Sequence, residues 1–179
     1  MFKGIVIDVD FEVSKSTTSA ALLPPFSVYA KIIGMDESSA EPLEETDTHL
    51  IHKNSKYPIF DGIPKFVQSE SNDEQYKIQK CFSYQWTESN FGQPEKFSEQ
   101  AIKQDVFETM NLTEEDLKLF NDKLVLDVGV GSGASSRLWS PRAKEFHGVD
   151  IGDGIYRAKN TLKNSTKNPI LSHADLHHL

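Results

Sequence analysis

The sequence predicts an α/β fold in three parts: a β-rich front module, a helical lead-in, and the first half of a doubly wound parallel sheet. Three observations point there. The apolar run Leu124-Val125-Leu126 ends at Asp127 and runs into glycines at 129, 131 and 133, as a buried strand does when it turns sharply into a helix. Strand, helix, strand, helix and strand periods then alternate within about 50 residues, the pattern of parallel strands joined by crossover helices. Ahead of them, segments rich in Val, Ile and Phe alternate at 2–13 and 26–33, and Asp61-Gly62 carries a hairpin signature. The expected units are 1–67, the β-rich module; 68–120, a linker, an aromatic segment and lead-in helices; and 121–179, the half-sheet.

In chain order, 2–13 and 26–33 read as strands separated by a long loop that contains Pro24-Pro25. Asp8 and Asp10 fall on one side of the first, as solvent-facing carboxylates. Residues 35–48 are acidic and poor in apolar side chains, which predicts an exposed loop. In Tyr57-Pro58-Ile59-Phe60-Asp61-Gly62-Ile63-Pro64, the Asp-Gly pair between apolar pairs predicts a tight hairpin. That phrase also resembles the last hairpin of small zinc-ribbon modules that precede or partner certain methyltransferases. The first 80 residues contain no cysteine, so no zinc role carries over and a β-rich accessory module remains.

Residues 69–80 are polar, a linker or helix start; Phe82, Tyr84, Trp86 and Phe91 then crowd into ten residues. Such a cluster seats a segment on a core more often than it binds a ligand. Ser98 is placed to cap a helix whose apolar residues Ile102, Val106 and Met110 recur every fourth position. Thr113 followed by Glu114, Glu115 and Asp116 predicts the start of another, with Leu117 and Phe120 inward. After Gly133 a helix is expected to be short, because Pro141 interrupts it. The second strand is read at 145–149, the second helix at 154–162 and the third strand at 169–173.

Bulk properties exclude several classes of function. Residues 1–120 hold 11 Lys, no Arg and 21 acidic residues, a balance of −10, whereas 121–179 hold 8 basic and 6 acidic residues, a balance of +2. An acidic front argues against a nucleic-acid surface, which needs clustered cations for phosphate contacts. No apolar run approaches the roughly 18 residues of a membrane span, and no secretory leader pattern is visible, so the cytoplasm is the expected compartment. Cys81 stands alone, which rules out an internal disulfide and suggests a small buried hydrophobe. His173, His177 and His178 lack a neighbouring carboxylate pair or cysteine and read as packed or solvated, not metal-binding.

The glycine loop names a ligand class but not one ligand. Gly129, Gly131 and Gly133 allow positive φ and close backbone approach, and amides at the start of the following helix suit an anionic or polar group. Read as Gly129-x-Gly131-x-x-Ala134 with Asp150 about 20 residues on, the loop fits the dinucleotide fingerprint of nicotinamide-dependent oxidoreductases. Read from Asp127, its D-x-G-x-G-x-G spacing resembles motif I of class I S-adenosylmethionine-dependent methyltransferases, a Rossmann-like family. The likeness continues at His147-Gly148-Val149-Asp150-Ile151 and at Ala174-Asp175-Leu176, and covers roughly the last third of the chain. A segment similar to F-x-x-Q-W at Phe82–Trp86 precedes the cofactor domain in that family and covers its pocket.

That resemblance implies a methyl transfer from S-adenosylmethionine to a small-molecule acceptor. It places Asp127 and the backbone of Gly129, Gly131 and Gly133 at the methionine end, Asp150 with Ile151 at the ribose, and Asp175 with Leu176 at the adenine. It names no acceptor-activating residue. The family's fourth and later strands have no counterpart before Leu179, so the expectation is a copy truncated after the third strand, inactive alone. The first strand of the half-sheet should then be an exposed, adhesive edge, or be completed by a second chain. Two other readings remain open: a non-catalytic binding module on the same fold, and a nicotinamide-dependent oxidoreductase using the same loop.

Overall fold

The structure, a computed structural model, describes residues 5–8, 44–67, 77, 79–81, 83–84, 98–166 and 168–175. In chain order these form β1 (Ile5–Asp8), β2 (Glu44–Glu45), β3 (His49–His52), β4 (Ser55–Phe60), β5 (Ile63–Pro64), α1 (Glu99–Met110), a 3₁₀ helix at Asp116–Phe120, β6 (Leu124–Val128), a 3₁₀ helix at Ser135–Leu138, β7 (Glu145–Asp150), α2 (Gly154–Leu162) and β8 (Ile170–His173). They make a mixed α/β architecture with two sheets, ordered β1-β6-β7-β8 and β2-β3-β4-β5.

Strands β6, β7 and β8 are parallel, with Asp127 level with Gly148 and Asp150 level with His173. One face of the three is sealed. Val125, Phe146 and Leu171 join Ile155, Ala158 and Leu162 of α2 and Ile102 and Val106 of α1 in one core. Each such Val, Leu, Ile or Phe side chain, fully buried, contributes about 1.5–3 kcal/mol. The other face of β6 is only half covered, at Leu124, Leu126 and Val128. Gly148 makes room for this packing, because a Cβ there would lie 2.8 Å from Leu171 Cδ2 and 3.1 Å from Val130 Cγ2 and those side chains would have to shift.

Three expectations are corrected. The edge of β6 is not bare: β1 runs antiparallel along it, from Ile5 opposite Val128 to Asp8 opposite Val125. An antiparallel neighbour satisfies the backbone groups of that edge without a further parallel strand. The turn after the glycine loop is a four-residue 3₁₀ helix, Ser135–Leu138, with no full α-helical turn before Pro141. The element after Thr113 is likewise 3₁₀; Asp116 accepts from both the Thr113 amide and hydroxyl, closing a local turn that competes with a longer helix.

α1 matches its reading: the Ser98 hydroxyl accepts the Ala101 amide, and Ile102 and Val106 are buried. The front sheet is a meander of three hairpin connections, β2–β3, β3–β4 and β4–β5. Asp61 and Gly62, at φ of +50° and +71°, make the expected turn between β4 and β5. The β3–β4 hairpin turns at Lys53-Asn54, with Lys53 at φ +53°, and lacks the glycine that would have announced it. Glu44–Glu45 also pairs as a short strand where the sequence suggested loop. The strand expected at 26–33 lies outside the described residues.

The hairpin tip is docked on the parallel sheet. Ile63 enters the common core, Lys159 Nζ of α2 lies 2.8 Å from Asp61 Oδ1, and the Phe66 amide donates to the His173 carbonyl. Cys81 is exposed, not buried. Gln79 and Ser83, one helical turn apart, face inward, which turns position 81 outward. Among the described residues no helix is long and apolar enough to cross a membrane.

Candidate functional site

The tips of the parallel strands bring two carboxylates and the glycine loop together. Asp127, next to last in β6, is 2 % exposed, and its Oδ2 accepts from Ser136 Oγ at 2.7 Å and Trp139 Nε1 at 2.8 Å. Burial pushes its pKa up, and these two donors oppose the shift. The 3₁₀ geometry is what brings Ser136 and Trp139 to one oxygen; both donors are spent on that carboxylate, so it braces the loop from beneath.

Asp150, the last residue of β7, is bonded differently. Its Oδ2 accepts the Gly131 amide at 2.7 Å and its Oδ1 the Gly152 amide at 2.6 Å. Burial raises its pKa first of all; the two amides oppose that, and the nearby charges of Asp127 and Asp153 add to it. The residue 19 positions after Gly131 thus closes the glycine loop directly.

Within the loop, Gly129, Gly131 and Gly133 all adopt positive φ, at +80°, +54° and +76°. They are not equivalent. A Cβ on Gly133 would meet Leu162 Cγ at 3.1 Å and Ala158 at 3.3 Å, so its absence lets the loop sit on α2. Among the described residues a Cβ on Gly129 would meet nothing within 4 Å, so there its bareness faces open space. The loop amides turn inward: Gly129 and Val130 donate to the Val149 carbonyl, Gly133 to Val130, and Gly131 to Asp150. The expected free amides at a helix start are therefore not what the loop offers, since its own strand neighbours consume them. Ser132, 1 % exposed, has a hydroxyl without a partner.

The third strand ends beside this arrangement. The Ala174 amide donates to the Asp150 carbonyl at 2.9 Å, and Asp175 lies half-buried one residue further on. Leu176 lies outside the described residues, as do His177, His178, Phe82, Gln85, Trp86 and Phe91. His173 is packed, at 0 % exposure: its Nε2 lies 2.8 Å from the Ile151 carbonyl and its Nδ1 3.1 Å from the Tyr156 hydroxyl. The segment before α1 reaches the same place, with Gln79 Nε2 3.3 Å from His173 Nε2 and Ser83 Oγ accepting the Asp153 amide at 3.0 Å.

Sequence reasoning passed over Ser136, Trp139, Tyr156, Gln79 and Ser83. The indole of Trp139 was a usable signal, since a buried Trp N–H needs an acceptor and Asp127 is the nearest acid before it in sequence. The i, i+4 pair Gln79 and Ser83 was another, visible only once that segment is read as helical. Among the described residues no group of three His, Cys, Asp or Glu side chains could hold a metal ion. No family model matches the chain, and no curated protein or solved structure matches it.

Proposed function

We propose that the chain binds S-adenosylmethionine through a Rossmann-like half-sheet and supplies the cofactor half of a methyltransferase acting on a small molecule. One observation carries the reading: a carboxylate at the tip of β7 is hydrogen-bonded to the glycine loop leaving β6, beside a glycine whose missing side chain faces open space. Asp150 then serves the ribose hydroxyls with the remaining lone pairs of its two oxygens. Gly129 lets the methionine portion lie against the backbone, with Asp127 bracing the loop and adding negative potential for the ammonium and sulfonium charges. Asp175, with Leu176, is assigned to the adenine.

The reaction is displacement of the sulfonium methyl by the acceptor, leaving S-adenosylhomocysteine. Holding acceptor and methyl in line supplies most of the acceleration, so the chain's residues act by binding and orientation. The inward-turned amides weigh against the dinucleotide reading, since a pyrophosphate needs free N–H donors and four of the loop's are occupied. S-adenosylmethionine has no phosphate and makes no such demand.

A non-catalytic binding module is the second reading, favoured by β1, which takes the edge of β6 where a further parallel strand would wall the crevice. Equilibrium dialysis with labelled S-adenosylmethionine tests the main reading. Saturable binding displaced by S-adenosylhomocysteine and untouched by NAD supports it. Absence of binding, or displacement by NAD, overturns it. Binding with no methyl transfer to any of a panel of small oxygen, nitrogen and sulfur nucleophiles supports the second.

A further inference from the structure

We propose that His173 is a positioning residue for the nucleoside end of the site, holding the turn that carries the Asp150 carboxylate by donating from Nε2 to the Ile151 carbonyl. The inference rests on the ligand reading above and concerns how that site is kept in shape.

A carbonyl oxygen only accepts, so the 2.8 Å contact to Ile151 fixes the imidazole proton on Nε2. Nδ1 is then an acceptor, and the Tyr156 hydroxyl at 3.1 Å donates to it. Tyr156 is suited to remain a donor, because burial and the neighbouring Asp153 push its pKa up to about 12. The ring is also set edge-on to Tyr156, with centroids 5.5 Å apart. Gln79 stands with its Nε2 3.3 Å from the same ring nitrogen, and a proton on Nε2 requires that amide to present its oxygen instead.

What the ring holds is the turn on which the ligand-facing acid stands. Ile151 lies between Asp150 and Gly152, and Gly152 donates to Asp150 Oδ1 while Ala174 donates to the Asp150 carbonyl. His173, the last residue of β8, and Ala174 after it therefore grip the carbonyls of Ile151 and of Asp150, the last residue of β7. Burial, the largest influence, holds the His173 pKa below its usual value; the Ile151 hydrogen bond opposes it, Lys65 from the front module acts with burial, and Asp153 favours protonation. Protonating Nδ1 would force the Tyr156 hydroxyl to accept instead of donate and would leave a buried charge. The turn, and with it Asp150, would then shift.

The test combines calorimetry with S-adenosylmethionine and ¹⁵N NMR of the imidazole in the 179-residue chain. Neutral His173 should show the proton on Nε2, and affinity should fall in step with its titration at acid pH. Tyr156→Phe removes only the donor to Nδ1, so both the titration and the loss of affinity should move together to higher pH. His173→Gln keeps an N–H for Ile151 and should bind without that pH step, whereas His173→Phe should bind about ten-fold more weakly, the worth of one hydrogen bond. Unchanged affinity in His173→Phe, or a proton found on Nδ1, overturns the inference while leaving the ligand reading intact. No heat with the unaltered chain at any pH overturns the ligand reading, and the inference with it.

Discussion

The tips of β6 and β7 each bury a carboxylate, yet one is held by side chains and the other by backbone. Asp127 sits under the loop with Ser136 and Trp139 on a single oxygen, whereas Asp150 spreads its two oxygens over the amides of Gly131 and Gly152. A carboxylate whose donors are side chains on a 3₁₀ turn fixes where that turn packs. A carboxylate whose donors are glycine amides fixes the shape of a buried loop that is exposed at Gly129. The comparison teaches that two acids one strand apart divide the labour, the first bracing the 3₁₀ turn and the second shaping the glycine loop.

The largest expected effect is shared by both acids. Asp127→Ala leaves the buried Trp139 and Ser136 donors unpaired and Asp150→Ala the buried Gly131 and Gly152 amides, so each should cost about 3 kcal/mol in denaturant unfolding, and the two part in ligand affinity, which Asp150→Ala should lower the more. Asp127→Asn keeps an acceptor oxygen and should restore most of the loss. The glycines sharpen the same division. Gly133→Ala meets Leu162 and Ala158 and carries positive φ, so about 2 kcal/mol of stability should go; Gly129→Ala has room and should cost about 1 kcal/mol from its φ alone. Ligand affinity should fall more in Gly129→Ala, a crossing of effects that calorimetry against unfolding curves would reveal.

Dependence on pH is a smaller effect and has two signs. His147 and His173 are held below their usual 6.5 by burial, so their contribution is complete above 6.5 and is lost as pH falls toward the folded values. Asp127 and Asp150 are held above 3.8 by burial, so their contribution is complete below 3.8 and is lost as pH rises through the folded values. Stability measured between about pH 5 and 6.5 should therefore rise with pH where the histidines dominate, and His173→Gln should remove about half that slope. Smallest of all, Lys159→Ala breaks a surface pair to Asp61 and should change stability by under about 1 kcal/mol. A larger loss would mean that the hairpin tip is a principal anchor of α2.

Much of the parallel sheet was legible because its signals are local. Leu124–Val128, Gly154–Leu162 and the Asp61-Gly62 hairpin announce themselves by apolar runs, helical spacing and turn chemistry. The convergence of Asp127 and Asp150 on one loop was also readable, since parallel strands with short crossovers must align their tips. Three features were not. The pairing of Ile5–Asp8 with β6 joins residues more than a hundred positions apart, and nothing in a four-residue alternation names its partner. The Lys53-Asn54 turn pays for positive φ at a lysine, which propensity disfavours. The inward turn of the loop amides depends on Val149 and Asp150 standing opposite them, a register that glycine spacing alone does not specify.

The most direct test titrates S-adenosylmethionine into the chain and into Asp150→Ala after circular dichroism has shown both folded. The account predicts saturable heat for the first and at least a ten-fold weaker response for the second, the loss expected when one charge-assisted hydrogen-bonding group is removed, about 1.5–3 kcal/mol. Equal affinities in the two folded chains would contradict it.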